Sequence, residues 1–95
     1  MSGGERLEAE IRITGRVQGV GFRPFIYREA VRNGLNGYVV NLGDAGVDVI
    51  VEGNRNLIES FIGDVKRKAP RVSELETLSV VYRPFRGRFR DFHIN

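Results

Sequence analysis

Leu7-Glu8-Ala9-Glu10-Ile11-Arg12-Ile13-Thr14 runs into Gly15-Arg16-Val17-Gln18-Gly19-Val20-Gly21 and then into Phe22-Arg23-Pro24-Phe25-Ile26. In the first stretch Leu7, Ala9, Ile11 and Ile13 fall on one face, and Glu8, Glu10, Arg12 and Thr14 on the other. That period of two predicts a half-buried strand whose polar residues face water. Gly15, Gly19 and Gly21 break the period, after which Phe22, Phe25, Ile26, Ala30 and Val31 recur at helical spacing until Asn33 and Gly34. A glycine-rich loop therefore feeds a helix. Pro24 fits the first helical turn, where a missing N–H has no intrahelical partner to lose.

Working outward, Leu35 to Leu42 and Val47 to Glu52 are β-rich runs joined by Gly43, Asp44, Ala45 and Gly46, which reads as a hairpin. Asn56 precedes Leu57 and Ile58, with Glu59 completing a capping-box-like start and Phe61, Ile62 and Val65 continuing an apolar face up to Pro70. Val72 to Tyr82 is strand-like in its second half, and Phe92 and Ile94 alternate with polar neighbours, predicting one strand plus a short extra one. The order β-α-β-β-α-β predicts an α+β, ferredoxin-like sandwich: an antiparallel sheet with two helices on one face. In many such sheets the second strand lies beside the first, which would bring the end of the hairpin's first strand toward the glycine-rich loop.

With 95 residues, 41% hydrophobic and 28% charged, the chain fits a single domain over residues 1–95, of which 1–6 are expected to be flexible. There is no cysteine, so disulfides, thiolate nucleophiles and iron–sulfur ligation are excluded, and neither a metal nor a cofactor is expected. No window approaches the ~18 apolar residues that cross a bilayer, and a cytoplasmic, monomeric protein is expected. A net charge of +3 favours small anions.

The loop between the first strand and helix is where an anion would sit, because first-turn N–H groups lack intrahelical partners and the helix dipole is positive there. Glycines let the backbone curl around tetrahedral oxygens. Arg23 stands at the unfavourable end of that dipole, which a bound phosphate would compensate through charge-assisted hydrogen bonds to the guanidinium. The bland readings are a solvated surface Arg23 and an Asn41 that merely ends a strand. The loop lacks the Gly-Lys-Ser/Thr ending of a P-loop and the spacing of a dinucleotide fingerprint.

Val17, Gln18, Gly19, Val20, Gly21, Phe22 and Arg23, followed by Gly37, Tyr38, Val39, Val40, Asn41 and Gly46, resemble the acylphosphatase signature. The likeness extends from the first strand to Phe92. It implies an enzyme that hydrolyses the carboxyl–phosphate bond of acyl phosphates by direct attack of water. In that mechanism Arg23 and the loop amides of Arg16, Val17, Gln18, Gly19 and Val20 hold the phosphoryl group, and Asn41 positions the water. Inorganic phosphate would be the product or an inhibitor. Where family members often carry Thr or Ser after the Asn, this chain has Leu42, so a lower rate is expected. Phe22 to Phe25, Leu35 to Gly37 and Ala69 to Val72 are more similar to the N-terminal acylphosphatase-like domain of the hydrogenase-maturation carbamoyltransferase, which implies carbamoyl phosphate as the alternative ligand.

A reading from another class is an RNA-binding ferredoxin-like module, suggested by Arg83, Arg86, Arg88 and Arg90 around Phe85, Phe89 and Phe92. Its match to an RNP1 element is partial and the first strand lacks a stacking aromatic, so no nucleic acid is expected. The same arginines fit a charged, aggregation-resistant strand edge. Phe22, Phe25, Phe61 and Phe92 are expected in the core, and His93 as an ordinary strand residue.

Overall fold

The computed structural model describes residues 4–17, 21–69 and 74–95. Strands β1 (Arg6–Arg16), β2 (Asn36–Asn41), β3 (Val47–Asn54), β4 (Glu74–Pro84) and β5 (Phe92–Ile94) form one sheet in the order β4-β1-β3-β2-β5, accompanied by helices α1 (Phe22–Arg32) and α2 (Arg55–Lys68). The alternation in β1 buries Ala9, Ile11 and Ile13 with Val47, Val49 and Val51 of β3. Phe22, Phe25 and Ile26 of α1 and Ile58, Phe61 and Val65 of α2 close over the same core. Phe92 joins them, so all four phenylalanines expected inside are inside. Burying each such ring contributes roughly 1.5–3 kcal/mol.

Several expectations change. β3 pairs with both β1 and β2, so β2 is one strand removed from β1 instead of beside it. The sheet is mixed: β5 runs parallel to β2, with Tyr38 opposite His93. Helix α2 starts at Arg55, with Asn54 and not Asn56 as its cap, because the Arg55 N–H donates to the Glu5 carbonyl at 2.9 Å and β3 passes directly into the helix. Val31 is half exposed at the far side of α1, beyond reach of the sheet. The expected helix stop at Pro70 and strand start at Val72 lie outside the described residues.

The largest departure concerns Glu8, expected in water and found buried. It stands directly opposite Glu52 of β3, also buried, on the sheet face away from the helices. Like charges in that register repel. The segment 85–91, here called the strap, crosses that end of the sheet and answers both carboxylates. Arg88 grips Glu8 through Nε and Nη2 at 3.1 and 3.0 Å, and Arg83 adds a bond at 3.2 Å. Glu52 accepts the backbone N–H groups of Arg86, Arg88 and Phe89 at 3.0–3.3 Å. Arg83 also reaches Glu10 at 3.1 Å. Two of the arginines that suggested RNA contact are therefore committed to carboxylates, and Phe92 is core.

Gly46 fixes how closely the hairpin approaches β1. Its φ is +95°, and a Cβ there would stand 2.1 Å from the Ile13 carbonyl oxygen. Gly46→Ala should destabilise the fold by about 3 kcal/mol or more, since strained φ and backbone overlap add; equilibrium urea unfolding measures this.

The hydrogen bond from Arg88, with the charges of Arg88 and Arg83 beside it, holds the Glu8 carboxyl below the usual glutamate range. A depressed folded-state pKa contributes stability above the unfolded value of about 4.3 that is lost as pH falls through the folded one. Glu8→Gln should thus cost about 1–2 kcal/mol at neutral pH. The gap between the two proteins should close in acid, as urea unfolding at neutral pH and near pH 3 would show.

Candidate active site

Ile13 of β1, Val47 of β3 and Asn41 of β2 are successive cross-strand partners. The end of β1 and Asn41 thus lie on one line across the sheet, two strand spacings or about 10 Å apart. Immediately beyond, the pairing of β1 with β4 shifts register between Thr14 and Gly15, a bulge after which Gly15 and Arg16 still pair with Leu75 and Glu74 before the loop begins. The Val17 N–H donates to the Gly15 carbonyl at 3.0 Å and the Val17 side chain is buried, which anchors the start of the loop, while Arg16 is exposed. Gln18, Gly19 and Val20 lie outside the described residues.

The loop returns at Gly21, the cap of α1, whose φ of +74° is open to glycine at little cost. The first turn of α1 carries no acidic residue, so among the described residues no carboxylate there offsets the positive end of the dipole. Arg23 adds a cation to it. One guanidinium nitrogen, Nη1, donates to the Asn95 main-chain oxygen at 3.4 Å, and among the described residues Arg23 has no Asp or Glu partner. Asn95 is in turn tied to β2, its N–H donating to the Val39 carbonyl at 2.9 Å.

Asn41 follows Val39 by two residues and so projects from the same face, about 7 Å further along β2. Its Oδ1 accepts the Gly43 N–H at 2.8 Å, while the turn beyond is closed by Leu42 N–H to Gly46 carbonyl at 2.8 Å. This is an Asx turn, the bland role expected of an Asn here. It also has a chemical consequence. With Oδ1 committed as acceptor, the amide orientation is settled and Nδ2, unpartnered among the described residues, is the group left to meet a ligand. Asn41 thereby presents an N–H donor at this end of the sheet. Leu42, about a third exposed, supplies no hydroxyl.

Arg23, Val17, Arg16 and Asn41 are thus gathered at one end of the sheet. Asn95 and Gly43 are parts of the same site that sequence reasoning missed. A main-chain oxygen and a main-chain N–H leave no signal in residue type. His93 is elsewhere: it pairs with Tyr38, its ring 6.0 Å from the tyrosine's, on the face opposite Val39 and Asn41. Among the described residues no cluster of three or more acidic or histidine side chains could hold a metal. A cavity of about 520 Å³ between Arg6, Arg55, Tyr82 and Phe85 lies at the other end of β1. Arg6 stacks on Phe85 and Arg55 on Tyr82, each at 4.7 Å.

Comparison with known proteins identifies the family. The acylphosphatase family model matches residues 9–94. The acylphosphatase of Syntrophotalea carbinolica is 35% identical over 88 residues, which are 93% of this chain and 95% of that protein. A probable carbamoyltransferase HypF from Methanocaldococcus jannaschii is 42% identical over 91 residues, 96% of this chain, and the chain spans only 12% of that protein's length. The crystal structure of acylphosphatase from Bacillus subtilis superposes with a TM-score of 0.87 at 37% identity, covering 94% of this chain and 98% of that one. With a family match over nearly all its length and a relative of its own size, the chain belongs to the acylphosphatase family.

Proposed function

We propose that the chain is an enzyme that hydrolyses acyl phosphates to a carboxylate and inorganic phosphate, with Arg23 and Asn41 as its catalytic residues. The observation that carries this is Arg23 itself: a cation at the positive end of α1, without an Asp or Glu partner among the described residues, on the same side of the sheet end as the Asn41 Nδ2 group. A tetrahedral dianion answers both the charge and the unpaired first-turn N–H groups. The backbone amides of Arg16, Val17, Gln18, Gly19 and Val20 complete the cradle, as the family resemblance implies.

In the proposed reaction water, held by the Asn41 side chain, attacks phosphorus. The new O–P bond forms as the bond from phosphorus to the acyl oxygen breaks, the carboxylate departs, and the water's proton passes to a phosphoryl oxygen. An amide and a guanidinium cannot accept that proton, and the only histidine is on the opposite face. An acyl phosphate already has a good leaving group, so positioning and charge stabilisation supply most of the acceleration. The chain works in this reading as a cytoplasmic monomer on a small molecule, without nucleic acid or cofactor.

The similarity to a short part of HypF supports a second reading, in which the acyl phosphate is carbamoyl phosphate and the chain acts as a domain of a carbamoyltransferase. Hydrolysis of benzoyl and carbamoyl phosphate, compared directly without metal, separates the two. Arg23→Gln and Asn41→Ala should each lower kcat/KM about 100- to 1000-fold with folding intact. Phosphate binding through Arg23 with no turnover by the unmodified chain would make it a binding module. The pH–rate profile should follow ionisation of the substrate phosphate; one governed by a protein carboxylate would exclude substrate-assisted proton transfer.

A further inference from the structure

Among the described residues the Arg23 side chain is hydrogen-bonded to Asn95, and Asn95 is delivered there by β5, whose own pairing with β2 covers just Gly37 to Val39. A three-residue parallel pairing is too short to hold itself in place. What fixes it lies upstream. The strap must cross from β4 to the far edge of β2, four strand spacings or about 19 Å, and residues 85–91 reach about 24 Å when extended. Little slack remains, and the crossing passes over β1 and β3 where Glu8 and Glu52 stand. Glu52 accepts three strap N–H groups, those of Arg86, Arg88 and Phe89. Beyond them the Asn36 Nδ2 donates to the Phe89 carbonyl at 3.3 Å, and the Gly37 N–H to the Asp91 carbonyl at 2.8 Å.

We infer that Glu52 is a positioning residue for Arg23: by clamping the strap it holds β5 against β2, and so holds the Asn95 main-chain oxygen that aims the Arg23 guanidinium. The inference rests on the reading of Arg23 as the phosphate ligand. It assigns a role in the reaction to a buried carboxylate at the opposite end of the sheet. In Glu52→Gln one acceptor oxygen becomes an NH₂ facing strap N–H groups, so the clamp weakens while side-chain volume is kept.

The test is NMR of the 15N-labelled chain with inorganic phosphate as ligand, the Arg23 Nε–H signal being assigned by its loss in Arg23→Gln. In Glu52→Gln the amides of Arg86, Arg88 and Phe89 should exchange faster and the Arg23 Nε–H signal should shift and broaden. The Kd for phosphate should rise about threefold to tenfold, the effect of one hydrogen bond's worth of lost organisation. The KM for benzoyl phosphate should rise by a similar factor with kcat changing less. Asn36→Ala, which loosens the strap with Glu52 in place, should move the same signals in the same direction, and it decides the matter if Glu52→Gln fails to fold. Faster strap exchange with an unchanged Arg23 signal and unchanged phosphate affinity would overturn the inference, leaving Glu52 a purely structural group. Neither deciding readout needs turnover. A parent chain that binds phosphate through Arg23 without hydrolysing acyl phosphates would end the enzymatic reading and leave this inference to stand or fall on its own measurements.

Discussion

Glu8 and Glu52 face each other across β1 and β3, out of water, and a pair of opposed carboxylates in that position is untenable without compensation. The strap and the end of β4 supply it in two chemically distinct ways. Glu8 receives guanidinium groups, from Arg88 and Arg83, and Glu52 receives main-chain N–H groups. Much of the remaining architecture follows from this arrangement. With the strap pinned over β1 and β3, the chain can only come down beyond β2, so β5 forms on that edge and runs back parallel to it. Phe92 then enters the core against Tyr27 of α1, with ring centroids 6.1 Å apart. The acids that alternation would place in solvent are what organise the closing third of the fold.

At the other end of the sheet the candidate site is built mainly from main chain. A bulge after Thr14, a glycine cap at Gly21 and a glycine pressed against Ile13 at Gly46 shape the backbone, and the side chains of Arg23 and Asn41 are displayed beside it. Each has one interaction that holds it and others left for a ligand. Nη1 of Arg23 rests on the Asn95 main-chain oxygen, and Oδ1 of Asn41 on the Gly43 N–H. Donors oriented beforehand cost little reorganisation when charge develops on a phosphoryl group. That suits a reaction whose substrate is already activated, where no nucleophile or general base has to be assembled.

The contrast between Asn41 and Glu8 shows what a sequence displays and what it withholds. Asn41 at a strand end, near Gly43 and Gly46, announces a turn, and the turn is there; its donor role emerges only because that turn consumes Oδ1. Glu8 sits in a flawless alternation that assigns it to water, and nothing local betrays a strap arriving from eighty residues away. Arg83 and Arg88 likewise read as a solvated edge or a nucleic-acid contact until their partners come into view. Hairpin β2–β3 was legible from its own residues, whereas the insertion of β3 between β1 and β2 was not, since pairing of distant strands is decided by which faces bury best together.

The sequence by itself determined the elements, the face of each that is buried, and the two residues on which the proposed chemistry turns. Those are matters of period, of glycine and proline stereochemistry, and of residue types at short spacing. Tertiary structure alone decided that β3 lies between β1 and β2, that β5 is parallel, that Glu8 and Glu52 are buried and satisfied, and that Arg23 and Asn41 share one end of the sheet. Each of these depends on contacts between segments far apart in the chain, and their free energies are set by burial and pairing that no local pattern records.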